Sequence, residues 1–326
     1  MKIAILRSKN VGYTMAADWS LAGFAPITYA GHDMKSAVEG AELIVALGPS
    51  YSTEPLAREL KPHLSKKQAV VVSPGSMGGG LLFKRTLGYN WDDPAVAVGE
   101  TSTLPYACRI IEPGKVHIYL KLKGGMFFSA LPADASAGLH ELFDSNYHAM
   151  SLGESYFQTM LQNANPVIHP TVTLLNAGRI ENTNGDFLFY EEGVMPGVGR
   201  LMAAIDAERI AIGKALGVAI YPDPVIGMKQ GYMTSDSYEV GYSTAPGFKG
   251  IKAQSKLEYR YLNEDAGYGL VLMSEIARAL GVDTPHIDAI ITLASTVTGK
   301  DYRSEAKRTL KILGLPEGEA LRTVRI

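Results

Sequence analysis

The sequence predicts an α/β chain in two parts: a truncated open parallel-sheet domain over residues 1–150, then a mainly α-helical domain over residues 151–326. Three observations carry this. Short apolar runs alternate with short helical stretches in the first half, which is the pattern of βαβ units. From about residue 150 the apolar spacing turns helical and stays so. With 326 residues, 46% of them hydrophobic, the chain is too long for one ordinary domain and long enough for two buried cores.

The elements follow in order. Residues 2–6 (KIAIL) read as a buried parallel strand. Met15–Trp19 reads as helix, with Gly23 as its stop. Residues 26–29 (PITY) read as a second strand, which Pro26 confines to a strand start or an edge. A helical stretch around Lys35–Gly40 leads into LIVAL (43–47), and a helix near Pro55–Leu60 precedes AVVVS (69–73). In the second half Leu201, Ile205, Ile212 and Leu216 share one helical face between Gly197 and Gly217. Residues 269–280 repeat the pattern with Leu272, Ile276 and Leu280 before Gly281, and further helices are expected over 285–298 and 303–313. The segment 221–261, rich in Tyr, Gly, Ser and Pro, reads as a pocket wall or lid.

Composition excludes several function classes. Lys and Arg number 31 against 33 Asp and Glu, a net charge of −2, so nothing suits the chain to a nucleic-acid partner. The single cysteine, Cys108, excludes an internal disulfide and fits a reducing compartment. The run Ile3–Leu6 is too short for a signal-peptide core, and no stretch approaches a membrane span, so a cytoplasmic protein without a membrane partner is expected. The seven histidines are scattered with no HxxxH or CxxC spacing, so no metal site is expected.

A strand-first α/β domain calls for the dinucleotide fingerprint GxGxxG after strand one. Its glycines make the turn, admit the pyrophosphate and let helix and strand pack. Here the turn reads Arg7-Ser8-Lys9-Asn10-Val11-Gly12, and only Gly12 of the three glycines is present. Lys9 stands where a side chain obstructs the diphosphate. Strand two is followed by Ala30 where an acid would bind the adenosine ribose, and Gly31-His32-Asp33 runs almost directly into the helix before LIVAL, with little room for the usual helix and strand that wall the adenine. Asp33 reads as a helix N-cap. The domain is thus Rossmann-like but truncated, with Asn10 and Gly12 the residues left to a cofactor. The Gly-rich loop Pro74–Gly80, which holds Ser76, reads as a plain turn or as backbone N–H groups offered to an anion; no P-loop Lys–Ser/Thr pair follows it.

The block Gly99-Glu100-Thr101-Ser102-Thr103-Leu104-Pro105-Tyr106-Ala107-Cys108-Arg109 resembles the opine dehydrogenase family of octopine, nopaline and related enzymes. The resemblance continues through Asn165–Pro170, Leu174–Glu181, Phe189–Gly193, Asp206–Arg209 and Arg260–Asp265, and covers almost the whole chain. It implies a Rossmann domain plus a helical domain, with the substrate in the cleft between them. It also implies reduction, with NAD(P)H, of the imine formed by an amino acid and an α-keto acid. By motif, His169 matches the family's catalytic histidine and Asp265 its carboxylate partner. Arg260 matches the arginine that holds a substrate carboxylate, and Glu100 and Cys108 match positions lining the substrate site. Ser76 and Asn176 join that substrate-binding set. The residues themselves agree: an imidazole oriented by a carboxylate transfers protons near neutral pH, and a guanidinium fork suits a bidentate carboxylate. Pro166 and Pro170 fix the backbone at His169, with Pro170 ending the local chain direction. As a lone residue Cys108 reads as a packed small side chain rather than a nucleophile.

The leading expectation is therefore an enzyme acting on a small amino-acid-derived imine or amine by His169–Asp265 acid–base chemistry. The eroded fingerprint points that expectation to non-redox elimination, isomerisation, cyclisation or hydrolysis, with no cofactor. The alternative is an NAD(P)H-dependent opine-type dehydrogenase, which Arg7, Lys9 and the missing acid lean toward NADPH. A non-catalytic binding protein is the third reading. Family analogy also implies a homodimer.

Overall fold

In the computed structural model the described residues are 1–6, 9–24, 27–30, 33–145 and 147–326; for residues 9, 29 and 30 the description stops at the backbone. The chain divides into two compact units, Met1–Met160 with Arg325–Ile326, and Leu161–Val324.

The first unit begins with β1 (Ile3–Leu6), α1 (Lys9–Leu21), β2 (Ile27–Ala30), α2 (Met34–Val38) and β3 (Leu43–Leu47). It continues through α3 (Thr53–Leu60), β4 (Ala69–Ser73), α4 (Gly79–Leu87) and β5 (Val98–Thr101). Then come β6 (Tyr106–Glu112), β7 (Lys115–Lys121), β8 (Met126–Leu131), α5 (Ser136–Asp144), β9 (Met150–Leu152) and α6 (Tyr156–Leu161). Seven strands form one sheet in the order β2-β1-β3-β4-β5-β8-β9. β1 lies between β2 and β3, with Ile5 in parallel register with Tyr29 and Val45. The sheet is parallel up to β5, after which β8 pairs antiparallel to β5 and β9 parallel to β8.

Strand alternation gives each face its own helices. Ala4, Leu6, Ile44, Ala46, Val70 and Val72 form one core with Met34, Val38, Leu56, Leu60 and Phe83 of α2, α3 and α4. Elsewhere in this unit Trp19 of α1 meets Phe143 of α5 edge to face at 5.3 Å, and Phe143 lies 6.3 Å from Phe128 of β8. β6 and β7 form a separate hairpin tied to α1. The Asn10 Oδ1 accepts from the Ile110 backbone N–H at 2.9 Å, and Tyr106 Oη donates to Asp18 at 2.7 Å.

The second unit is helical: α7 (Asn165–Leu175), α8 (Ala177–Thr183), α9 (Pro196–Ala215), α10 (Asp223–Gln230) and α11 (Arg260–Asn263). A π-helical turn (Asp265–Leu270) then leads into α12 (Val271–Leu280), α13 (Pro285–Thr298) and α14 (Leu310–Leu313). Val172, Met202, Ile205, Leu272, Ile276 and Ile291 are buried in its core. α9 also buries charged residues, because each satisfies backbone groups elsewhere. Glu208 accepts from the His286 and Ile287 N–H groups at the start of α13, and Arg209 donates to the carbonyls of Leu161 and Tyr221.

Two expectations need correction. Pro170 does not end the chain direction at His169, since α7 runs through it to Leu175. A proline there forfeits only the bond to the Pro166 carbonyl, and buried Val167, Ile168 and Val172 hold the helix across the gap. The helix expected over 303–313 shrinks to Leu310–Leu313, capped by Thr309 Oγ1 accepting from the Ile312 N–H at 3.1 Å. Ahead of it Arg303 is held instead by Ser274 and Asp288.

Candidate active site

In the second unit α7 and the π-helical turn pack together, and this brings His169 to Asp265. His169 Nδ1 lies 2.8 Å from Asp265 Oδ2, with the two side chains 8% and 12% exposed. A carboxylate only accepts, so Nδ1 bears the proton and the neutral ring keeps Nε2 as an acceptor. Asp265 heads the π-helical turn, a local widening that recurs at functional sites. The imidazole stacks on Tyr261 at 4.0 Å and 21°, and Phe189 closes on it at 6.2 Å. These contacts fix the ring plane, and Asp265 fixes its tautomer.

Arg260, the first residue of α11, is 47% exposed, and its ion partner Glu264 is 3.9 Å away. That separation is too long for a hydrogen bond, so the contact leaves the guanidinium fork open to a carboxylate.

Sequence reasoning gave no role to Tyr190, and took Asp223, Tyr242 and Phe248 only as parts of the 221–261 wall or lid. The Tyr190 hydroxyl lies 3.1 Å from His169 Nε2. Asp223, at the start of α10, accepts from the Tyr242 hydroxyl, and its backbone N–H donates to Asp206 at 2.9 Å. Burial and the neighbouring Asp206 push the Asp223 carboxyl up to about 6, against the pull of Tyr242, Arg209 and the His169 ring. In the Tyr-rich segment 221–261, Tyr242 is fully buried and Tyr238 half-buried, whereas Tyr259 is exposed. Tyr242 and Tyr190 both stack on Phe248, and the Tyr238 hydroxyl binds Asp206. The Phe189-Tyr190 dipeptide was the one available signal, as part of a family block.

Of the remaining candidates, Asn176 lies in this unit, and Glu100, Cys108 and Ser76 lie in the first. Asn176 closes α7, and its side-chain N–H groups donate to the Val172 and Gly193 carbonyls at 2.9 and 3.0 Å. In the first unit Glu100 is 0% exposed and accepts from the Gly80 N–H at 2.8 Å and from the Tyr156 hydroxyl. Gly75, beside Ser76, has no Cβ because Glu100 fills that space: a Cβ there would lie 1.8 Å from the Glu100 Cδ. The Gly-rich loop thus cradles a buried carboxylate, with half-buried Ser76 in the left-handed region at φ 47°. Cys108 is 2% exposed against α1, where burial pushes its thiol up, opposed by a Thr14 hydrogen bond. Cys108 is packed, as its residue type suggested, Glu100 is buried, and Asn176 is half-buried.

The fit to a dinucleotide was tested on the first unit. Only residues 7 and 8 separate β1 from α1, so the α1 N-terminus follows the end of β1, where a diphosphate binds in this type of sheet. Gly12 is buried within α1, in keeping with the packing role of the third glycine. Asn10 uses its side-chain oxygen on the hairpin. β2 is an edge strand followed by the five-residue α2, whose N-cap Asp33 accepts from the Ser36 N–H, so among the described residues no strand walls the adenosine end. Arg7, Gly31 and His32 lie outside the described residues, as does the Lys9 side chain. The α1 N-terminus is placed for a diphosphate, and the adenosine end is abbreviated. Among the described residues no group of His, Cys, Asp or Glu is placed to hold a metal ion, and no helix is long and apolar enough to cross a membrane.

A sheet parallel from β2 to β5, followed by a helical unit bearing a His–Asp pair, is the build of a two-part protein with a Rossmann-like first unit. A family model described as NAD/NADP octopine/nopaline dehydrogenase, alpha-helical domain, matches residues 152–298. The chain is 37% identical over 306 residues to an opine dehydrogenase of Arthrobacter sp. (strain 1C), covering 93% of this chain and 84% of that one. It is 31% identical over 299 residues to protein ocs of Agrobacterium tumefaciens (strain Ach5), covering 90% and 80%. The chain belongs to the opine dehydrogenase family and is an enzyme of that family. The solved structure of octopine dehydrogenase in complex with NADH and agmatine shares its fold, with a TM-score of 0.75 at 17% identity over 98% of this chain and 99% of that one. These relatives favour the redox alternative, and they give no support to the non-redox reaction or to the expected lack of a cofactor.

Proposed function

We propose that this protein is an NAD(P)H-dependent opine-type dehydrogenase that reduces the imine of an amino acid or amine and an α-keto acid. The observation that carries the reading is the 2.8 Å contact of His169 with Asp265 in a chain this similar to an opine dehydrogenase. NADH and agmatine in the solved octopine dehydrogenase support the cofactor and substrate classes.

NAD(P)H, when bound, supplies the hydride, and the α1 N-terminal turn with Gly12 is the part of this chain that would hold its diphosphate. The chain's own side chains do the rest. Asp265 keeps the proton on Nδ1, which leaves Nε2 to carry a proton to or from the substrate nitrogen. Protonating an imine nitrogen makes its carbon more electrophilic, so the acid step prepares the reduction. The Arg260 fork holds a substrate carboxylate and so sets the distance from that nitrogen to His169. The aromatic wall of Phe189, Tyr190 and Tyr261 keeps water from the ring.

The test is oxidation of NADH or NADPH, followed by absorbance, over a panel of amino acids and amines paired with α-keto acids. The expected result is turnover with at least one pair, with a secondary-amine product by mass spectrometry. Turnover of an amino-acid-derived imine or amine that consumes neither nicotinamide would return the non-redox reading.

A further inference from the structure

His169 has two ring nitrogens, and Asp265 takes one of them. Nε2 is left to exchange protons, yet the Tyr190 hydroxyl stands 3.1 Å from it. Tyr190 is held in that position. Its ring stacks on Phe248 at 4.2 Å and 14°, meets Phe189 edge to face at 5.0 Å, and is 5% exposed. Among the described residues Nε2 is the only hydrogen-bond partner of the hydroxyl, which donates to the lone pair of the neutral ring and keeps its own lone pairs unused. A substrate nitrogen must therefore either displace Tyr190 from Nε2 or exchange its proton through it.

Resting on the proposed dehydrogenase reading, we propose that Tyr190 is the third member of the proton path Asp265–His169–Tyr190, so that the proton crosses its hydroxyl between Nε2 and the substrate nitrogen. In the reducing direction the Nε2–H bond of the imidazolium breaks as a new O–H bond forms on Tyr190. The original Tyr190 O–H bond breaks in the same event, and its proton joins the imine nitrogen. The imidazole ends neutral, the tyrosine is unchanged, and the single positive charge has moved to the iminium. Burial holds the phenol well above its ordinary range, with the charges of Asp223 and Asp265 and the neighbouring Tyr232 and Tyr261 adding to the effect. Tyr190 thus cannot release its proton first and wait as a phenolate. It gives one proton only as it takes another, which suits a relay.

The test compares Tyr190→Phe and His169→Gln with the parent, as full-length protein with reduced nicotinamide and the best substrate pair. For Tyr190→Phe the relay requires kcat to fall by about 10²-fold or more, with KM values within about threefold of the parent. Nitrogen-15 NMR of the nicotinamide-free protein gives a readout independent of turnover, with His169 assigned by its loss in His169→Gln. The expected change in Tyr190→Phe is that Nε2 moves to the value of a nitrogen without a donor, while Nδ1–H stays on Asp265. Full activity in Tyr190→Phe, or an unchanged Nε2 signal, overturns the relay. Full activity in His169→Gln overturns the wider acid–base reading instead, so the two failures are distinct. If Tyr190→Phe folds poorly, a ring-fluorinated tyrosine at position 190 keeps shape and hydroxyl but is more acidic. A changed kcat and pH profile then support the relay, and unchanged values overturn it.

Discussion

Replacing Asp265 with Asn removes the charge that orients His169 while keeping the size of the side chain. The bond at stake is 2.8 Å long, between groups 8% and 12% exposed, so solvent screens it little. A hydrogen bond to a charged partner in that setting contributes about 1.5–3 kcal/mol. At 1.36 kcal/mol per decade this is a rate loss of about 10- to 150-fold. A second effect adds to it. The Asn amide can turn an N–H toward Nδ1, which moves the ring proton to Nε2 and leaves the ring in the wrong tautomer to accept there. The combined loss in kcat is expected to reach about 10²–10⁴-fold. Steady-state kinetics with the best substrate pair, beside a thermal melt to show an intact fold, measure it. A kcat within about threefold of the parent would refute the role given to Asp265.

Other consequences follow from the same geometry. Arg260→Lys is expected to raise the KM for the carboxylate-bearing substrate about tenfold or more with kcat nearly unchanged, because an ammonium cannot make the bidentate contact; equal KM values would contradict it. Asp223 is held up at about 6 in the folded chain, chiefly by burial, against about 3.9 when unfolded. Between those values the native state binds the extra proton, so stability is lost as pH rises through that window. Asp223→Asn keeps an acceptor for Tyr242 and removes the charge, so its melting temperature should exceed the parent's at pH 8 and converge with it near pH 4; a pH-independent difference would sink this. Gly75→Ala puts a Cβ 1.8 Å from Glu100, whose carboxylate is pinned by the Gly80 N–H and Tyr156. A loss of about 1–3 kcal/mol is expected by urea unfolding, and an unchanged midpoint would show that Glu100 can retreat.

The strands LIVAL and AVVVS and the helix 285–298 were legible because each is a continuous pattern with its own stop. The π-helical turn was not, since its sequence Asp265–Leu270 continues a helical spacing and carries no mark of the wider turn. The pairing of His169 with Asp265 came from motif resemblance and appears in the structure as a 2.8 Å contact. Tyr190 and Asp223 escaped notice for a physical reason. A tyrosine in an aromatic run and an aspartate at a helix start have ordinary local explanations, and their part in the site depends on where α10 and the 189–190 backbone settle. The packing of Cys108 was legible from its residue type, whereas nothing in the block marked Glu100 as a buried carboxylate.

In the proposed reaction hydride passes from a nicotinamide to the imine carbon, which ends bonded to the secondary-amine nitrogen. NADH or NADPH deuterated at the transferable position of the ring, incubated with the protein and its best amino-acid and keto-acid pair, tests it by mass spectrometry of the product. The account requires the product to carry one deuterium from one of the two cofactors. Turnover that yields unlabelled product from both would contradict it.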